Sequence, residues 1–153
     1  KQWKIMDKNI IKKRLEDFEG KSATMYFDSE GLATIGVGRC IETNPLKEHE
    51  IEYLLESDIA ETIEKLDKQW PVWRDFPEAV QYVCVDLVFN MGINNWLSFR
   101  KTRALMELGE WQKASLELLN SKYATQVGRR ALFNSEELAR CQSHLTIIKT
   151  TEE

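Results

Sequence analysis

The chain has 153 residues, 42% of them hydrophobic and 30% charged, with a formal net charge of −4, which fits one ordinary domain able to bury its own core. No apolar run approaches the ~20 residues of a membrane span, and the acidic balance leaves no basic footprint for nucleic acid. Cys40, Cys84 and Cys141 are an odd number of cysteines without Cys-x-x-Cys spacing, which argues against a disulfide framework or a zinc site and for small buried apolar residues.

Asp7 precedes a segment in which Ile11, Leu15 and Phe18 recur at helical spacing, which predicts a helix capped near Asp7 and ending about Gly20. Glu19 then lies at the helix C-terminus, where the helix dipole disfavours an ionised carboxylate, as suits a proton donor. The β-prone pieces Thr24–Phe27 and Leu32–Ile35, joined by Asp28-Ser29-Glu30-Gly31 and followed by Gly36 and Gly38, predict a hairpin or three-stranded ribbon. Ile51, Leu54, Leu55, Ile59, Ile63 and Leu66 mark a long amphipathic helix that closes before Trp70-Pro71.

Pro77 suits the first turn of the next helix, whose Val80, Val83, Cys84, Leu87 and Val88 form a stripe wide enough for a central buried helix ending at Asn90-Met91-Gly92. Further helices are expected from Leu97 to Leu108, from Trp111 to Leu119 and roughly from Arg129 to Cys141. Gly109 and Gly128 act as breaks, and Ser135 as a local cap or kink. The tail from Leu145 to Glu153 reads ambiguously. The pattern is α+β, mostly helical with a small N-terminal antiparallel ribbon. It is expected as a single domain, with a ribbon lobe over about 1–45, a bridging helix over about 46–68 and a helical lobe over about 69–153.

Glu19 and Asp28 are nine positions apart on different elements, so they can face one another without being neighbours on one helix or strand. Two carboxylates in different surroundings can divide acid and base roles, the pattern of glycosidic bond cleavage. On the returning strand, the Thr34 hydroxyl is placed to share a water with Asp28. Each residue also has a local explanation, since Asp opens turns and Thr favours strands. Gly36-Val37-Gly38 is no dinucleotide fingerprint, because a third glycine and a βαβ unit are missing; close backbone approach to a sugar chain suits it better. Glu48-His49-Glu50 lacks a second His at helical spacing and reads as a solvated helix face. His144 has no nucleophile motif to serve. Trp96 is either a core residue or the lining of a sugar subsite. No metal or organic cofactor is implied.

The runs Phe18-Glu19-Gly20, Tyr26-Phe27-Asp28-Ser29-Glu30-Gly31 and Thr34-Ile35-Gly36-Val37-Gly38 together resemble the signature of the bacteriophage-type lysozymes. Weaker similarity continues through Leu87–Gly92, Trp111–Ala114 and Gln126–Ala131, so that it spans roughly Ile11 to Arg140. The resemblance implies a two-lobed fold with a cleft for the glycan strands of bacterial peptidoglycan. It also implies hydrolysis of the β-1,4 bond between N-acetylmuramic acid and N-acetylglucosamine, in the periplasm or on the cell wall. Glu19 would be the general acid, while Asp28 and Thr34 would activate a water on the opposite face. An inverting reaction of that kind calls for carboxyls roughly 6.5–9.5 Å apart.

By the same resemblance Gly36, Arg39, Asn90 and Arg130 are substrate contacts. The local alternatives are a helix cap for Asn90 and, for Arg130, an ion pair with a carboxylate such as Glu19. Two features depart from the family: Arg39 stands where His commonly follows Gly-x-Gly, and the chain is acidic where many relatives are basic. These favour, as a rival reading, a peptidoglycan-binding or cell-puncturing module with little turnover. Other rivals are a chitinase or transglycosylase, and a helical interaction domain. The start at Lys1 suits a monomeric domain excised from a longer protein.

Overall fold

The computed structural model of the chain describes residues 6–151, with side chains through residue 141. In chain order, α1 (Lys8–Glu19), β1 (Ser22–Phe27), β2 (Ala33–Gly36) and β3 (Arg39–Cys40) precede α2 (Glu48–Gln69). A 3-10 turn (Pro71–Asp75) follows, then α3 (Glu78–Met91), α4 (Ile93–Ser98), α5 (Arg100–Glu107), α6 (Trp111–Leu119), α7 (Lys122–Val127) and α8 (Arg129–Thr151). This is the expected α+β pattern. The chain divides into two compact units between Tyr53 and Leu54, inside α2.

In the first unit, the Asp7 side chain accepts from the Asn9 backbone N–H and caps α1. Gly20 ends the helix at φ 76°, a backbone shape that side-chain-bearing residues avoid. The ribbon is a three-stranded antiparallel sheet in the order β1-β2-β3. Tyr26 pairs with Thr34 and Phe27 with Ala33, and the register slips between Ser22 and Tyr26. On the other edge of β2, Thr34 opposes Cys40 and Ile35 opposes Arg39.

The second unit holds an aromatic core. Trp70 lies edge-on to Phe76 and to Trp96, with ring centroids 5.3 and 5.4 Å apart, and Phe76 meets Trp111 in the same way. Val80, Val83, Cys84, Leu87 and Val88 are buried as predicted, and α3 packs along α8. Burial pushes the Cys84 thiol far up in pKa. Cys40 and Cys141 are only half-buried, contrary to expectation, and all three cysteines are free thiols.

Several local expectations are corrected. The segment expected as one helix from Leu97 to Leu108 begins earlier and breaks at Phe99 (ψ 57°) into α4 and α5. The 3-10 turn and α7 were not anticipated. Gly92 (φ 81°), rather than Asn90, caps α3. Ser135 neither caps nor kinks α8: it is buried, and its hydroxyl lies 2.6 Å from that of Ser115 on α6. The α8 backbone runs on to Thr151, which makes most of the ambiguous tail helical; the side chain of His144 and the last two residues lie outside the described part. Among the described residues no helix is long and apolar enough to cross a membrane, and no cluster of three His, Cys, Asp or Glu could hold a metal ion.

Candidate active site

The hairpin turn is organised by Asp28. Its Oδ1 accepts the backbone N–H groups of Glu30 and Leu32, each at 2.9 Å, while its own N–H donates to the Leu32 carbonyl at 3.0 Å. Asp is favoured at such a position because its short side chain imitates a turn of backbone. Gly31 follows at φ 77° and donates to the Asp28 carbonyl.

Thr34 joins the same arrangement. Its hydroxyl donates to the Leu32 carbonyl at 3.0 Å, so one peptide oxygen receives both the Asp28 N–H and the Thr34 O–H. The residue is only 3% exposed, and with its proton committed the hydroxyl can offer further partners only acceptor lone pairs. Asp28 is half-buried, and its second oxygen, Oδ2, stands outside the two turn bonds.

Glu19 is the last residue of α1 and is exposed. Its carboxylate lies against Gly38 at the β2–β3 turn: a Cβ built on Gly38 would fall 2.6 Å from Glu19 Oε2. Gly38 also has φ 66°. The Gly38 backbone thus closely approaches a carboxylate of the chain itself. Lys12, Leu15, Glu16, Glu19, Val37 and Gly38 line a hollow of about 300 Å³. Gly38→Ala is expected to displace the flexible Glu19 carboxylate and to cost about 1–2 kcal/mol of backbone strain. The variant should keep a native circular dichroism spectrum and melt below the wild type, and unchanged melting would show that the backbone shape at Gly38 carries no strain.

Gly36, at φ 68°, has open space where a side chain would project, so backbone shape rather than crowding favours glycine there. Arg39 does not present a bare charge. Its Nη1 pairs with Glu50 Oε1 at 2.7 Å, both side chains being about three-quarters buried, and Glu50 Oε2 accepts the Lys47 N–H at 2.8 Å. The Lys47 hydrogen bond and Arg39 hold the Glu50 carboxyl below the usual carboxylate range. Glu50 is thus an anchoring carboxylate rather than part of a solvated helix face.

The remaining candidates lie in the second unit. Asn90 is exposed near the end of α3. Arg130 forms the ion pair with a carboxylate that its local alternative allowed, and the partner is Asp86, across the packed α3 and α8: Nε donates to Oδ2 at 2.9 Å and Nη2 to Oδ1 at 2.7 Å. Asn134, one turn along α8, donates to Asp86 Oδ2 at 2.7 Å. Burial would raise the Asp86 pKa, but the donors Arg130 and Asn134 outweigh it and hold the carboxyl low. Trp96 is fully buried against Trp70 and Phe99, which removes it as a sugar platform.

Sequence reasoning missed Gly38 as a neighbour of Glu19, and it missed Leu32, Glu50, Asp86 and Asn134. The Gly-x-Gly spacing was a usable signal for the first; the partners of Arg39 and Arg130 left no local signature.

A family model described as Phage lysozyme matches residues 16–136 of the chain. Probable T4-type lysozyme 2 and Probable T4-type lysozyme 1 of Dictyostelium discoideum are each 27% identical to it, over 79% of this chain and 88% of theirs. The Pre-baseplate central spike protein Gp5 of Enterobacteria phage T4 is 26% identical over 74% of this chain and 24% of its own length. With a match that runs from α1 through the ribbon and into α8, the chain belongs to the phage lysozyme family.

Proposed function

We propose that the chain is a muramidase that hydrolyses the β-1,4 bond between N-acetylmuramic acid and N-acetylglucosamine in bacterial peptidoglycan, acting on the cell wall or in the periplasm as a single catalytic domain without cofactor. Glu19 donates a proton to the leaving oxygen. A water donates one hydrogen to Asp28 and the other to the lone pair of Thr34, and Asp28 takes its proton as it attacks from the opposite face, inverting the sugar. Gly36, Arg39, Asn90 and Arg130 bind the glycan. The observation that supports this reading is the Leu32 carbonyl, which accepts both the Asp28 backbone N–H and the Thr34 hydroxyl: it ties the two residues to one peptide and commits the Thr34 proton, so that the hydroxyl is left to accept from a water.

The test is turbidity loss of outer-membrane-stripped walls, followed by mass analysis and rapid NMR of the fragments. Reducing-end muramic acid appearing first as the α-anomer is expected; the β-anomer first would overturn inversion, and another reducing sugar would overturn the bond assignment. A second reading, a tethered domain of a larger envelope-penetrating protein, draws on the match to a quarter of the spike protein Gp5. Wall binding without released fragments would favour it.

A further inference from the structure

Arg130 is held more firmly than an ordinary surface arginine. The Nε–Nη2 edge of its guanidinium meets both Asp86 oxygens, and Asn134, itself 1% exposed, braces the same carboxylate. Isolated exposed ion pairs contribute little because two long side chains must be ordered together. A planar fork on a carboxylate that is braced from a third side is different: the geometry is fixed before any ligand arrives. Asp86 and Arg130 also border a largely apolar hollow of about 550 Å³ with Tyr82, Val85 and Phe89, and low local polarity strengthens such bonds. The pairing occupies one edge of the guanidinium and leaves the Nη1 donors outside it.

We infer that Asp86 is a positioning residue for glycan binding: it grips one edge of Arg130 so that the Nη1 donors are pre-set for oxygen acceptors of the saccharide. This rests on the proposed reading of Arg130 as a glycan contact. Asp86 touches no substrate and acts through the arginine. In Asp86→Asn the amide offers one acceptor, and its NH₂ confronts a guanidinium donor, so the fork is lost with little change in volume.

The test is a double-mutant cycle on full-length protein, with sedimentation binding to purified cell walls and lysis kinetics measured for wild type, Asp86→Asn, Arg130→Gln and the double variant. Asp86→Asn should weaken wall binding and raise KM roughly three- to tenfold, as losing a pre-ordered long side chain does, with kcat unchanged. The double variant should bind no worse than Arg130→Gln alone. Arg130→Lys, which keeps the charge without the fork, should bind as weakly as Arg130→Gln, and this keeps the inference testable if Asp86→Asn folds poorly. Independent, multiplying losses, wild-type binding by Asp86→Asn or by Arg130→Lys, or a fall in kcat alone would each overturn it. A wild type that binds without cleaving defeats the hydrolase reading and leaves the binding cycle to decide Asp86; a wild type that neither binds nor cleaves defeats both.

Discussion

Glu19→Gln is expected to abolish nearly all wall lysis, lowering the rate by about 10²–10⁴, the contribution of a positioned proton donor. Structure and stability should not follow. Glu19 is exposed, and its carboxylate rests against the bare backbone of Gly38, where an amide of the same shape fits. A native circular dichroism spectrum and an unchanged melting temperature beside lost turbidity clearance would identify a chemical defect. If the glutamine variant clears walls at the wild-type rate, the proton comes from elsewhere and the assignment of Glu19 falls.

Asp28→Asn should be nearly as damaging, with a loss of roughly 10² or more for a misdirected water. Here the structural and chemical duties of one side chain can be separated. Oδ1 carries the turn by accepting the Glu30 and Leu32 N–H groups, and an asparagine oxygen can do the same. Only the charge is lost, so the hairpin should persist and melting should stay near the wild-type value. Asp28→Ala removes both, and should cost about 1 kcal/mol of stability in addition, the usual value of such a side-chain-to-backbone acceptor. Equal melting of all three proteins would show that the turn does not depend on Asp28; normal lysis by Asp28→Asn would remove it from the chemistry.

The parts of the fold legible in the sequence are those governed by neighbours in the chain. Asp7 caps α1, Gly20 and Gly92 stop helices, and Asp28 opens the hairpin, each through bonds spanning a few residues. The buried stripe of α3 was equally plain, because five apolar residues at helical spacing have one stable destination. What was hidden depends on tertiary pairing. Phe99 splits a helical pattern in two because its ring stacks on Trp96 and meets Tyr123. Arg130 finds Asp86 across 44 positions of sequence, and nothing near either residue announces the other. Trp96 was ambiguous because the same ring suits a core or a sugar; full burial decides it. At the site, the three candidate residues were readable as a spaced set, whereas the Leu32 carbonyl joining two of them is a backbone atom without a side-chain signature.

That shared carbonyl also bears on how the hairpin is made. Asp28, Leu32 and Thr34 lie within seven consecutive residues, so closing their bonds requires only a small loop and little lost chain entropy. Hairpins of this size assemble in about 1–10 μs, long before distant helices can be sorted into a core. The water-holding half of the proposed machinery is therefore a local folding event, insulated from substitutions in the aromatic core and vulnerable to any inserted residue between Asp28 and Thr34.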